Sequence, residues 1–593
     1  MNDIEELRKK MESLPAGGIT AKTIKGKKYL YYQWTENGRQ FSRTVKEKEA
    51  ELLKAQIEER KFLQEKLKEM RNSKIPVSSA MIKKVNAYNC DVRIGESLKI
   101  FAASVSSYKK RYIYEVIKNF IYNETHDKVF ILYGLRRTGK TTLVRQIIYN
   151  MLESNFSKSV FIQINSNNTL SDVNKDLKEL EAKGYKYVFI DEVTLMDDFI
   201  DGAALFSDVF ATSGMKIVLS GTDSLGFIFS EDEQLYDRCI LLHTTFIPFR
   251  EFYDVLGIQS IDEYIKYGGT MSRSGENYNN LIFGTKQSTD EYVNTAIARN
   301  IQHSLKNYQY EDHFRNLYEL YEKHELTNVI NRIVEDMNHR FTIDVLTRDF
   351  KSHDFGLAQR NVRNDRNNPT DILDTVNKPK FLKNLMKALE ILNKQNQTVE
   401  IKDVHRKEIK EYLDMLDLTC DIPVVSMTDL NNRVFFTVFT QPGLRYSQAE
   451  SLIKSLMMDD IFKNISAIDR KRITDKILDD VKGRILEEIV LLETKKANPE
   501  KDIFKLKFAV GEFDMVVYDS ENVNCKIYEI KHSKEISKEQ YHHLVDTKKC
   551  EQTEFRYGKI LSRVVLYRGK DSETEEGILY RNVEEYLLEL GKH

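Results

Sequence analysis

The sequence predicts a multidomain α/β protein, and three observations carry that expectation. Its 593 residues exceed the ~100–200 of a typical domain several times over. Between Lys128 and Arg250, short apolar strand patterns alternate with amphipathic helical ones, as in a parallel sheet covered by helices. Towards the carboxy terminus, two alternating segments flank the polar turn Asp519–Asn522 and form the hairpin of a second α/β unit. A composition of 41% hydrophobic residues supplies enough apolar surface to bury. The expected order is a basic β-hairpin and amphipathic helix (1–72), a linker (73–107) and a parallel α/β core (108–250). A helical region (251–394), a winged-helix-like segment (395–440) and a C-terminal α/β domain (441–593) follow.

Composition excludes several classes. No run approaches the ~18 apolar residues of a membrane span, and Met1–Glu6 lacks the basic-then-apolar plan of a secretion signal. A cytoplasmic protein without a membrane partner is expected. Cys90, Cys239, Cys420, Cys525 and Cys550 are scattered and odd in number, which argues against a disulfide framework or a zinc site. Lys and Arg total 90 against 91 Asp and Glu, so an argument for nucleic-acid binding has to be local.

One such local excess is Gly17 to Lys48, where eight Lys and Arg face only Glu36 and Glu47. Lys28–Trp34 and Gln40–Val45 alternate around Asn37-Gly38, a hairpin signal, and an amphipathic helix runs from Lys46 to Met70. Lysines among Tyr29, Tyr31, Tyr32 and Trp34 suit phosphate contact with stacking; equally, those aromatics suit a small core of their own. Lys25-Gly26-Lys27-Lys28-Tyr29 resembles part of the arm-binding modules of phage and transposon integrases.

The motif with the most chemistry is Gly134-Leu135-Arg136-Arg137-Thr138-Gly139-Lys140-Thr141-Thr142, which fits G-x-x-x-x-G-K-[ST] between a strand and a helix. Such a loop wraps phosphates with its N–H groups, Lys140 reaches the β/γ oxygens, and the Thr141 hydroxyl suits Mg²⁺. ATP and Mg²⁺ are therefore the expected ligands. At the end of Tyr185–Ile190, Asp191 would hold the Mg²⁺ shell and Glu192 would polarise water, on a strand expected to neighbour the loop strand. Lys216–Thr222 ends in Ser220 and Thr222, candidates for sensing the γ-phosphate. Arg238 is either a trans-acting arginine finger or a surface charge.

The spacing of loop, Asp191-Glu192 and Ser220-Gly221-Thr222, followed by Ile247–Phe252, resembles AAA+ ATPases. It is similar to the bacterial and archaeal branch in which this module precedes a winged helix and a nuclease-like domain. Tyr267-Gly268-Gly269 resembles that branch's Gly-Gly turn, although Thr270-Met271 stands where the branch has proline. The resemblance implies a homo-oligomer built through the ATPase core.

Along a strand, side chains alternate faces, so Glu529 and Lys531 share one, and Asp514 on the partner strand can point to it. Two carboxylates and a lysine suit Mg²⁺-dependent phosphodiester hydrolysis. Gly511-Glu512-Phe513-Asp514 and Glu529-Ile530-Lys531 resemble the PD-(D/E)xK nuclease superfamily, and Gly483–Val490 resembles the helix that adds an acidic ligand. The resemblance implies Glu487, or else Glu488, as that ligand. Downstream, Gln540 and Tyr541 lie on an expected helix that either faces the same pocket or, the favoured alternative, serves the surface. The expected function is an ATPase whose nucleotide state controls a Mg²⁺-dependent nuclease-like domain acting on nucleic acid, DNA more than RNA, in defence or a mobile element. The alternative is a regulatory ATP switch with a catalytically silent binding domain.

Overall fold

The computed structural model describes residues 15, 18–24, 27–36, 39–45, 53, 54, 56, 57 and 60. It also describes 88–591, apart from 125–126, 224–225, 229–233, 272–282, 308–313, 353–400, 430–433 and 459–465. The chain divides into two compact units, 1–87 and 88–593.

In the first unit, β1 (Gly18–Ile24), β2 (Lys27–Glu36) and β3 (Arg39–Val45) form an antiparallel sheet in that order. The expected hairpin is β2–β3, closed by the pair Glu36–Arg39. Strand β1 lay outside the sequence reading because its alternation breaks at Lys22-Thr23-Ile24. Tyr32, Val45, Leu53 and Ile57 bury one another, so at least one hairpin aromatic serves the unit's own core. Lys25 and the side chains of Lys27 and Lys28 lie outside the described residues.

The second unit begins with β4 (Asp91–Arg93), α1 (Gly95–Ala103), α2 (Tyr114–Tyr122) and β5 (Val129–Tyr133). Next come α3 (Lys140–Tyr149), β6 (Ser159–Gln163), α4 (Leu170–Ala182), β7 (Tyr187–Asp191), β8 (Lys216–Gly221) and β9 (Cys239–His243). The sheet order is β4-β6-β7-β8-β5-β9, parallel except for β4. Every residue of β5, β7 and β8 is buried because helices cover both faces. One face packs Phe130 and Leu132 against Ile117, Phe120, Leu143 and Ile147, the other Ile131 and Ile190 against Leu177, Phe199 and Phe206.

Two expectations change here. The stretch read as a linker contributes β4, paired to β6 through Val92–Ile162, and buries Leu98, Phe101 and Ala102 of α1. A three-residue strand and a nine-residue helix are too short to show a period. Nor does the Asp191 strand neighbour the loop strand: β8 lies between β7 and β5.

Helices dominate the next stretch: α5 (Phe249–Leu256), α6 (Ile261–Tyr267), α7 (Arg299–Asn307), α8 (Leu326–Ser352) and α9 (Asp403–Met415). Then β10 (Thr419–Ser426), β11 (Val434–Phe439), α10 (Pro442–Leu456) and α11 (Ala467–Ala497) lead to β12 (Asp502–Lys507), β13 (Glu512–Asp519) and β14 (Asn524–Ile530). The chain ends with α12 (Thr547–Tyr557), β15 (Lys559–Tyr567), β16 (Ser572–Glu573), β17 (Leu579–Asn582) and α13 (Val583–Glu589). These strands make a mixed sheet ordered β11-β10-β12-β13-β14-β15-β17-β16.

The hairpin expected as the wing of a winged helix is therefore the edge of the C-terminal sheet. Strand β10 pairs in parallel with β12 through Val424–Lys505, so the boundary expected at 440 runs through one sheet. Sequence periodicity showed a helix and a hairpin but not the strand that the hairpin would join. On α11, Ile477, Val481, Ile485 and Ile489 recur at helical spacing and share a core with Phe249, Phe252 and Tyr264 of α5 and α6 and with Met515 and Ile530 of the sheet.

Candidate functional site

The phosphate loop leaves the carboxyl end of β5 and enters α3 at Gly139. Its first glycine is required by the backbone: Gly134 has φ 140°, and a Cβ there would lie 2.7 Å from Thr244 Oγ1. Arg137 (φ 67°) and Glu192 (φ 58°) also sit in the left-handed region, which non-glycine residues adopt at a cost when surrounding contacts hold them. Thr138 supplies such contacts, through Leu135 O (2.9 Å) and Thr244 Oγ1 (2.8 Å).

Lys140 is 6% exposed, and its ammonium donates to the loop's own carbonyls, Gly134 O at 2.8 Å and Leu135 O at 2.9 Å. Burial lowers its pKa to about 8, with Glu192 and Asp191 opposing. Thr141 Oγ1 donates to Asp191 Oδ2 (2.8 Å) and Ser220 Oγ to Asp191 Oδ1 (2.5 Å). Those hard oxygen donors suit Mg²⁺. Thr222 Oγ1 donates to Glu192 Oε2 at 3.2 Å, and burial raises the Glu192 carboxyl above the usual range. The predicted residues Gly134, Arg137, Thr138, Gly139, Lys140, Thr141, Asp191, Glu192, Ser220 and Thr222 thus surround one loop. Arg238 stands apart, half exposed and bridged to Asp208 at 2.6 and 2.7 Å.

Several residues here escaped the sequence reading. A cleft of about 250 Å³ beside Gly139 and Thr142 is lined by Tyr108, Gln146, Leu256 and Met271. A second cavity, about 370 Å³, brings Arg136 and Arg299 to Thr222. Asn300 of α7 donates to Thr222 O (2.6 Å), and Asp223 accepts from Ser304 Oγ (2.6 Å), fastening the helical region to the end of β8. Met271 N donates to Arg137 O (2.8 Å), which ties the Gly-Gly turn to the loop. Gly269 lets the turn approach α10: a Cβ there would lie 2.5 Å from Gln441 Cβ. No spacing motif links residues roughly eighty or more positions apart.

In the C-terminal sheet, β13 and β14 pair through Met515–Tyr528, and one step on Asp514 and Glu529 come together. Lys531 Nζ donates to Asp514 Oδ2 (3.0 Å) and Glu529 Oε2 (2.6 Å), and Ile530 N donates to Asp514 Oδ2 (2.9 Å). Glu529 Oε1 is buried with no hydrogen-bond partner. Burial would raise Asp514, but Lys531 and Lys505 hold it well below the usual carboxylate range. Burial and the Asp514 charge push Glu529 well up, against Lys531. Lys531 is raised despite burial, because both carboxylates face it. The two carboxyls thus compete for one ammonium, which holds Asp514 down while Glu529 is pushed up.

Glu487, expected as a third ligand, accepts from Lys505 Nζ at 2.8 Å and from Arg484, and Glu488 pairs with Arg445. Among the described residues, no three His, Cys, Asp or Glu are grouped to hold a metal ion, and Glu487 is engaged by Lys505 and Arg484. Two cations beside Glu487 give it better partners than a third carboxylate would. Gln540 ends the short helical turn Lys538–Gln540 and accepts from Tyr580 OH (3.0 Å), and the Tyr541 hydroxyl reaches Glu576 (3.3 Å), while their neighbours Glu539, His542 and His543 line the cleft over Asp514 and Glu529. The cleft over Asp514 and Glu529, about 460 Å³, also exposes Lys507, His542 and His543.

A parallel sheet with a phosphate loop after β5 and an acidic pair after β7 defines a P-loop nucleoside triphosphatase. More narrowly, residues 126–253 match the family model of an AAA domain, so the core is an AAA-type ATPase domain. A model for a domain of unknown function, DUF6788, matches residues 2–55. An uncharacterized protein of Methanocaldococcus jannaschii is 26% identical over 205 residues, which are 30% of this chain and 44% of that protein. The chain thus spans less than half the length of that curated relative. Among solved structures, Aeropyrum pernix ORC1 in complex with DNA aligns with a TM-score of 0.22 at 11% identity, over 63% of this chain and 99% of that one. Caenorhabditis elegans PCH-2 aligns with a TM-score of 0.20 at 16% identity, over 36% of this chain and 60% of that one. No helix among the described residues is long and apolar enough to cross a membrane.

Proposed function

We propose that this AAA-type ATPase couples its nucleotide state to metal-dependent cleavage of phosphodiester bonds, in DNA more than RNA, by the C-terminal site. The observation that carries the proposal is Asp514, Glu529 and Lys531 meeting on adjacent strands with a buried, unpartnered Glu529 oxygen.

At the phosphate loop, Lys140 exchanges two loop carbonyls for the β/γ-phosphate oxygens, and Thr141 with Asp191 orients the cation. Glu192 takes the proton of the attacking water, and Thr222, hydrogen-bonded to it, reads the γ-phosphate. The cleft at Tyr108, Gln146 and Met271 takes the nucleoside. In the C-terminal cleft, Asp514 and Glu529 would be the ligands, and Glu529 Oε1 is the free donor that fits such a role. When bound, Mg²⁺ supplies Lewis acidity at both sites. Lys531 then orients water or offsets charge on the phosphate.

Incubating the protein with plasmid and single-stranded DNA, with and without ATP and Mg²⁺ or Mn²⁺, tests this. Metal-dependent cutting that responds to ATP and disappears in Asp514→Ala is expected. The second reading, a switch with a silent C-terminal domain, is favoured by Glu487 being held by Lys505 and Arg484. It takes over if the wild type cuts nothing under any condition or if Asp514→Ala still cuts.

A further inference from the structure

Beneath the phosphate loop lies a buried ionic chain whose first member, Arg111, also lines the cleft beside Gly139. Arg111, 6% exposed, donates from Nη1 to Thr138 O (2.7 Å) and Thr244 O (3.2 Å) and from Nε to Glu251 Oε2 (2.8 Å). Glu251, 2% exposed, also accepts from Tyr112 N (2.7 Å). Glu251 lies in the first turn of α5, whose first residue, Phe249, donates its N–H to Glu493 Oε1 at 2.7 Å. Glu493 is 1% exposed, and its other oxygen is buried with no partner. Arg250, Tyr264 and Glu251 face it. It sits on α11, six residues (roughly 9 Å of helix) beyond Glu487, which lies beside the C-terminal carboxylates.

Burying this many charges is costly, and a packed apolar substitute would serve stability as well or better. The groups are also arranged in series: a loop carbonyl, a guanidinium, a carboxylate, a helix end, then a carboxylate on the helix that also carries Glu487. At its head is Lys140, which donates to the carbonyls of Gly134 and Leu135 and would have to leave them to reach a phosphate. Arg111 grips the carbonyl of Thr138 in that same loop.

We infer that Arg111, Glu251 and Glu493 are positioning residues that transmit the state of the phosphate loop to α11, and so to the C-terminal site. This rests on the reading of the loop as an ATP site and of the Asp514 cluster as the site it controls. A bound phosphate shifts the Thr138 carbonyl, Arg111 follows it, and α5 moves with Glu251. Glu493 takes the Phe249 N–H at the start of α5 and faces the Tyr264 hydroxyl of α6, so a displacement of α5 reaches α11 through this carboxyl.

The test is hydrogen exchange on the full chain with Mg²⁺ and a slowly hydrolysed ATP analogue, with nucleotide affinity measured in parallel. In the wild type, exchange should change at 134–142, at 249–256 and at 484–494. In Glu251→Gln, the change at 134–142 should persist, with affinity altered by less than roughly tenfold, while the response at 484–494 is lost, as it should also be in Arg111→Met. Arg111→Lys, which keeps the charge, should restore part of it, and Glu493→Gln should blunt it without touching the loop. A wild type that binds nucleotide without any change at 484–494 overturns the inference and leaves the ATP reading intact. So does an undiminished response in Glu251→Gln and Glu493→Gln, the two variants of nearly unchanged shape. A wild type that binds no nucleotide overturns both.

Discussion

The phosphate loop and the C-terminal cluster each place a lysine where a ligand is expected, Lys140 buried and Lys531 partly exposed, and the two lysines are in opposite states. Lys140 has only neutral carbonyls as partners, and burial drags its pKa down to about 8, so a phosphate would be a better partner than any it has. Lys531 bridges two carboxylates and is raised instead. The first site is under-compensated and poised to bind an anion. The second is latched by its own salt bridge, so loading it with a cation means competing with an ammonium. Under the proposed coupling, that latch is what a nucleotide-driven movement of α11 would release.

The largest expected effect tests the first half. Lys140→Ala should reduce ATP hydrolysis by roughly a hundredfold or more, and Glu192→Gln should bind ATP without turning it over. Steady-state hydrolysis with nucleotide-binding titrations checks both. Because Lys140 is poorly compensated, its removal should leave thermal stability nearly unchanged.

The latched site should behave otherwise. Asp514→Ala strips Lys531 and the Ile530 N–H of a buried partner, and a cost of about 3–5 kcal/mol is expected. Denaturant titration of Asp514→Ala beside Lys140→Ala decides the matter: equal destabilisation would end the contrast. Lys531→Met should abolish cleavage while leaving metal binding measurable, since it keeps both carboxylates.

A pH effect of intermediate size separates the chain joining the two sites from either of them. Burial raises the Glu493 carboxyl from the ordinary glutamate value to about 7, with the Phe249 N–H and Arg250 opposing. The folded state then holds a proton that the unfolded state has lost, so this group's contribution to stability is full below the ordinary glutamate range. It falls as pH rises towards about 7, by an amount on the order of 3 kcal/mol at most. Glu493→Gln should flatten that decline in melting curves taken across the window. A decline as steep as the wild type's would place the titrating group elsewhere.

Smaller effects concern the periphery. Replacing Lys25, Lys27 and Lys28 together should flatten the salt dependence of DNA binding, by about one in the log–log slope per lysine that contacts phosphate. An identical slope would favour the hairpin's own packing as its role. Arg238→Ala, which breaks only a half-exposed bridge to Asp208, should cost less than about 1 kcal/mol. ATPase activity measured over a range of protein concentrations distinguishes a surface charge, with no change, from an arginine finger, with a loss confined to assembled protein.

The sequence by itself determined the phosphate loop, the Asp191-Glu192 strand end, the Ser220–Thr222 strand end and the β13–β14 hairpin. Each is local chemistry: a glycine-rich turn, an apolar run ending in acids, a two-residue alternation. Asp514 could be matched to Glu529 and Lys531 because antiparallel register over a short turn is set within a few residues.

Tertiary structure alone decided what depends on long-range pairing. Strand β8 fell between β7 and β5, β10 joined β12 rather than forming a free wing, and β4 and α1 turned an expected linker into sheet edge and core. Which partner a carboxylate finds was decided the same way. Glu487 went to Lys505 and Arg484, and Arg111 met Glu251 across 140 residues. Sequence spacing reports neighbours along a helix or strand; a buried charge takes whichever counter-charge the fold brings within reach, because leaving it unpaired costs more than any local preference can return.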